Sequence, residues 1–144
     1  MVRVDIYIGI LSHSRAEGKT AYYYCLQCLD QKGKPYRKES SGVYPMTTRN
    51  RAFLMAMVEA LKRVRMNPSI EVVIHGNSDY VKRMLKDIEK YQKNEWKNSN
   101  GNEIKNVDLW RLIYMQTQIH WMDIKVEQIG MDSYLQEVYE RNGH

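Results

Sequence analysis

The sequence predicts an α/β domain: a five-stranded mixed sheet, three antiparallel strands followed by two parallel ones, with helices on both faces. Residues 2 to 43 read as three successive strand-like runs joined by short polar turns, which is how antiparallel strands are connected. From Thr48 the apolar spacing changes to three and four, and helical stretches then alternate with short apolar runs. Strand–helix–strand units pair in parallel through right-handed crossovers. At 144 residues the chain has the length of one domain, 1–144, since domains run to roughly 100–200 residues.

Val2 to Leu11 (VRVDIYIGIL) is β-branched and aromatic enough for a central strand. Ser12 to Lys19 is a polar turn, and Thr20 to Leu29 is a second strand. The DQKGK connection, with Gly33, leads to a third strand over Pro35 to Val43, where a proline is tolerated at the edge. Leu54, Met55, Val58, Leu61 and Val64 form a helical stripe, capped by Thr47 or Thr48 and ended by Asn67-Pro68. Ile70 to His75 is a short buried strand. Asn77 or Ser78 caps the next helix, whose stripe is Tyr80, Val81, Met84, Leu85 and Ile88. Lys93 to Asn106 is a polar loop carrying Trp96 and Gly101. Asn106 or Asp108 opens a helix through Leu109, Leu112 and Ile113, Ile119 to Val126 is the fifth strand, and Asp132 to Arg141 is a closing helix.

Composition narrows the function classes. With 43% apolar and 27% charged residues the chain is not a disordered one. No apolar run reaches the roughly 18 residues a membrane helix needs, and the opening MVRVDIYIGILSHS, with Asp5 inside it, makes a poor signal peptide. These features point to the cytosol and to no membrane partner. Cys25 and Cys28 lie in a strand pattern, YYYCLQCLD, where residues three apart face opposite ways. No second ligand pair accompanies them, because His13, His75, His120 and His144 are scattered. Both cysteines therefore read as structural. The net charge of +5 suits a polyanionic partner and equally a solvated basic surface.

Several stretches, in order and at matching spacing, carry a resemblance. They are TTRNRAFLMA (Thr47 to Ala56), HGNSDYV (His75 to Val81), the tryptophan-containing NEWKNSNGNEIKNVDLW ending at Trp110, and QIHWMDIK (Gln118 to Lys125). The segment KNVDLW, Lys105 to Trp110, occurs nearly verbatim in bacterial members of the family in question. Across nearly its whole length the chain resembles ribonuclease H of the cellular type. That resemblance implies an enzyme that cuts the RNA strand of an RNA–DNA hybrid with two Mg2+ ions held on four carboxylates. Two hard cations about 4 Å apart, activating water and stabilising the leaving oxygen, need that much negative charge.

The resemblance places the four acids at positions that carry none clearly. The first-strand acid falls at Gly9, the first-helix acid at Phe53, and the fourth-strand acid at Asn77. The closing-helix acid falls at Gln136 or Glu137, and the mobile-loop histidine of many members falls close to Glu127. Neighbouring acids do not compensate. Arg49, Asn50, Ala56 and Met57 share the helical face of Phe53, Glu59 lies on another face, and Asp5 is about 13 Å along its strand from Gly9. Asp79 sits in a first helical turn, where an acid serves the dipole. A phenyl ring at 53 suggests a cleft centre that has become packed, a burial that contributes about 1.5–3 kcal/mol. The expectation is therefore no catalytic residues, no metal and no cofactor.

What the resemblance leaves is a set of backbone-gripping residues. Thr48 and Asn106 fall at a phosphate pocket for the DNA strand, Asn50 at a hybrid-contacting asparagine, and Arg49 beside it. Thr48 and Asn106 also read as helix caps. Lys93, Lys97 and Lys105 of the basic handle are opposed by Glu95 and Glu103, and Trp96 either stacks on a base or pins the loop to the next helix. The turn LSHSRAEGKT has one glycine where the family has several. Lys82, Arg83, Lys86 and Lys90 are a phosphate-tracking face or a solvated stripe. The leading reading is a catalytically silent ribonuclease H-like domain that binds a hybrid or duplex weakly or serves as an accessory module. The alternatives are an active ribonuclease with relocated ligands and a protein-interaction domain, whose adaptable contact surface eleven tyrosines and nine methionines would suit, though they more commonly build an ordinary core.

Overall fold

The structure is a computed structural model that describes residues 2–30 and 32–141; Gln31 of the hairpin connection and His144 lie outside the described residues. Strand β1 (Val2–Ser12) alternates as its sequence requires: Val4, Ile6, Ile8 and Ile10 are buried on one face, and Asp5, Tyr7, Gly9 and Leu11 occupy the other. β2 (Gly18–Leu29) pairs antiparallel with β1, Gly9 opposite Tyr23. Asp30 shapes the return by accepting from the backbone N–H groups of Lys32 and Lys34, while Gly33 takes a φ of 77° that a Cβ would strain. β3 (Pro35–Thr47) pairs antiparallel with β2. It runs past the expected end at Val43, because Tyr44 stays in register with Thr20 and stacks on Tyr22 at 4.4 Å.

Helix α1 (Arg49–Leu61) begins at Thr48, whose hydroxyl accepts from the Arg51 N–H at 3.2 Å. It is apolar nearly all round because it lies between the sheet and a second helix, with Phe53, Leu54, Met57 and Leu61 among its buried residues. It stops short of the expected Asn67-Pro68: the Arg63 and Val64 N–H groups bond to the carbonyls three residues back, which tightens and ends the helix. β4 (Ile70–Gly76) pairs in parallel with β1. The helix expected next is two helices, α2 (Asp79–Lys86) and α3 (Ile88–Lys93), broken at Asp87 where φ is −103° and ψ is 12°. Neither proline nor glycine marks that break. α4 (Val107–Thr117) is the helix packed on α1, and β5 (Trp121–Val126) pairs in parallel with β4.

The strand order is β3-β2-β1-β4-β5, with β1, β4 and β5 parallel and β1, β2 and β3 antiparallel. The larger core lies between the sheet and α1. On the other face α5 (Asp132–Arg141) packs against β1, β2 and β3, burying Leu135 and Val138 on Ala21, Tyr23 and Cys25. Across the first residues of β1, β4 and β5, Arg3, Glu71 and Trp121 stand side by side, and Trp121 is 71% exposed. Cys25 is buried, Cys28 is half-buried, and both are free thiols.

Candidate nucleic-acid interface

The β1–β4 ladder ends at Tyr7 and His75, while β1 continues to Ser12. A cleft opens beside that overhang, at the carboxyl ends of β4 and β5, where open α/β sheets bind their ligands. Gly9, Phe53 and Asn77 line it together with Arg49, Gln128 and Leu135. Three of the four positions that the sequence resemblance assigns to acids thus meet in one place. Neither residue expected at the fourth position, Gln136 or Glu137, faces Gly9; the α5 residue that does is Leu135, whose Cδ1 would lie 3.1 Å from a Cβ on Gly9. Gln136 points elsewhere, meeting His13 Nε2 at 3.2 Å and donating to Glu140 at 3.0 Å, and Glu137 is exposed. The buried stripe of α5, Leu135 and Val138, fixes that register.

Phe53 fills the centre and is 3% exposed. Its ring lies so close over Gly76 that a methyl group there would come within 2.5 Å of it and 3.1 Å of the Ile8 carbonyl. About 20 Å3 of room remains in the cleft, the space of one water molecule. Two divalent cations require several ionised oxygens. The floor offers instead a glycine, a phenyl ring, a carboxamide and an isobutyl group, and Asp132 is the one acid in the lining. This donor set does not fit a two-cation centre. Among the described residues no group of three or more His, Cys, Asp or Glu side chains is placed to hold a metal ion.

Beside the cleft lies an arrangement that the motifs did not announce. His75, 6% exposed at its side chain, has Nε2 2.7 Å from an Asp5 oxygen and Nδ1 2.6 Å from a Glu127 oxygen, and its ring stacks on Tyr7 at 4.3 Å. Arg3 donates to the same Asp5 oxygen at 2.9 Å. Burial pushes the Asp5 carboxyl up, but the hydrogen bonds from His75 and Arg3 outweigh it and hold the group below the usual carboxylate range. The two ring nitrogens face opposite ways, so the carboxylates cannot share one cation with the imidazole. They tie the segment after β5 to the end of β4, helped by the Glu127 N–H bond to the Gly76 carbonyl (3.1 Å) and the Asn77 amide bond to Gln128 (2.9 Å). An aspartate and a histidine inside apolar strand patterns were the signal, because buried polar groups need partners.

Thr48 and Asn106 are both bonded to Arg51, the hydroxyl through its backbone N–H and the Asn106 carbonyl through its guanidinium at 3.3 Å. Arg51 forks onto Asp108 at 3.0 and 2.7 Å, and the Asn106 amide donates to the Tyr80 hydroxyl at 3.2 Å. Thr48 is an N-cap by hydrogen bond, whereas Asn106 enters α4 from the left-handed region with no side-chain cap. Arg49 and Asn50 are exposed in the first turn of α1. Lys93, Lys97 and Lys105 are exposed, with Lys97 3.9 Å from Glu95. Of the two roles open to Trp96, the structure shows the packing one: it is 8% exposed and set edge-on to Tyr114 of α4 at 5.8 Å, which pins the loop to that helix.

A family model described as RNase H matches residues 10–128, and the chain belongs to that family. Ribonuclease HI of Haemophilus ducreyi is 36% identical over 91 residues, covering 62% of this chain and 58% of its own. Ribonuclease H of Acetivibrio thermocellus is 38% identical over 95 residues, covering 62% and 63%. These matches span about three-fifths of the length of those curated relatives. Among solved structures, LC9-RNase H1, a type 1 RNase H with the type 2 active-site motif, superposes with a TM-score of 0.73 at 18% identity. That likeness covers 95% of this chain and 70% of the other, and it shows the shared fold. No helix among the described residues is long and apolar enough to cross a membrane.

Proposed function

We propose that this chain is a nucleic-acid-binding member of the RNase H family that holds an RNA–DNA hybrid or a duplex without cutting it. The observation that carries the reading is the cleft: Gly9, Phe53, Asn77 and Leu135 meet where a cation-binding acid cluster would stand. The relatives' names, ribonuclease H and ribonuclease HI, support a hybrid as the ligand class. The contact face carries Thr48, Arg49, Asn50 and Asn106, with Lys93, Lys97 and Lys105 at its flank. Hydroxyl, amide and guanidinium groups there suit phosphate oxygens. Trp96 contributes the loop's shape.

Binding of a labelled hybrid at low salt tests this. Affinity should be weak, and its salt dependence shallow, at about 0.9 per phosphate neutralised on duplex. Arg49→Glu should weaken binding at least about tenfold, and Lys62→Glu, beyond the other end of α1, should act less. No magnesium-dependent cleavage should accompany binding. Cleavage that disappears in Asp79→Asn would overturn the silent reading in favour of relocated ligands. Absence of binding at low salt would leave the chain as a protein-interaction domain.

A further inference from the structure

The first turn of α1 carries two arginines in opposite situations. Arg51 is committed, forked onto Asp108 and bonded to Asn106. Arg49 is not. Its Nη1 donates to the Ile10 carbonyl at 3.1 Å, on the part of β1 that has outrun β4, and this holds the guanidinium across the cleft. A guanidinium has five N–H donors in a planar fork. No carboxylate among the described residues lies within ion-pair distance of Arg49, although Asp132 is in the same lining. The Gln128 carboxamide accepts from Asn77, and its own N–H groups have no partner among the described residues. The cleft therefore presents unused donors around a cation, over a floor sealed by Phe53 and Leu135.

We infer that the cleft is a cation-independent oxyanion site, taking one phosphodiester group of a bound strand directly on the Arg49 guanidinium at its mouth. The inference rests on the reading of the chain as a nucleic-acid binder. Charge-assisted, bidentate guanidinium–phosphate bonds supply the contact that an acid cluster could make only through bridging cations. The site is continuous with Thr48 and Asn50 on the same helix turn, so one strand can run over both. The ligand must stay at the mouth, because the room beneath holds no more than a water.

Hybrid affinity of the full chain, measured in EDTA and in magnesium at matched ionic strength, tests the inference with Arg49→Gln and Asn77→Asp beside the parent. The parent should bind equally in both buffers. Arg49→Gln should bind about tenfold more weakly, with the salt slope reduced by about 0.9. Asn77→Asp, with melting checked by circular dichroism, should bind more weakly in EDTA and gain nothing from magnesium. Magnesium-enhanced binding by the parent or by Asn77→Asp would overturn the inference, because a cation would then bridge cleft and phosphate. Parent-like binding by Arg49→Gln would overturn it too. In both cases the binding function itself would stand; a parent that binds in neither buffer would overturn that function and the inference together.

Discussion

Asp5 and His75 would each be costly alone inside a central strand, and together with Arg3 and Glu127 they satisfy one another. Because the Asp5 carboxyl is held below its unfolded value, its contribution is present above that value and fades as pH falls through the depressed one. Unfolding free energy measured from neutral to acid pH should show that loss in the parent, and Asp5→Asn should remove it. Phe53 makes a different demand. Buried at 3% and seated on Gly76, it should cost about 3–5 kcal/mol when cut to alanine, read from the denaturant midpoint. The family resemblance singled out Gly9, Phe53 and Asn77, and all three line one cleft because strand and helix motifs fix their own register. It did not locate the His75 arrangement, since Asp5, His75 and Glu127 are brought together only by strand pairing.

Elements were legible where periodicity decides them and obscure where a neighbour does. β1 and α5 show their alternation and stripe directly. The break at Asp87 has no local signal, and the shortened α1 ends by a change of hydrogen-bond step that composition does not encode. The β5–α5 segment depends on its partners on β4. Replacing His75 by alanine should free the Glu127 side chain, and amide exchange at Glu127, whose N–H bonds to Gly76, should speed up ahead of global unfolding. Gly76 is the tightest point of β4. A methyl group there meets the Phe53 ring, so Gly76→Ala should destabilise by about 1–3 kcal/mol, and pairing it with Phe53→Leu should recover part of that in a double-mutant cycle.

For the whole molecule, the element order alone implied the sheet, since right-handed crossovers leave few ways to arrange three hairpin strands and two parallel ones. The handle's Trp96 and the facing residue of α5 needed the packed structure. A cleft lined by a single acid has a thermodynamic consequence: magnesium should not raise the melting temperature beyond the effect of sodium at equal ionic strength, because only a native-state site gives a saturable rise. Replacing Gly9 by Asp, Phe53 by Glu and Asn77 by Asp together should lower stability rather than create activity, since the carboxylate at 9 meets Leu135 and all three repel one another. Melting curves and a hybrid-cleavage assay on the triple variant check both halves of that expectation. The unequal settings of the three indoles also give the molecule an optical signature. Trp96 and Trp110 are buried while Trp121 stands 71% exposed on its edge strand. Iodide should therefore quench one red-emitting component and spare a blue one, and Trp121→Phe should leave a purely interior fluorescence whose red shift times the opening of the handle and α4.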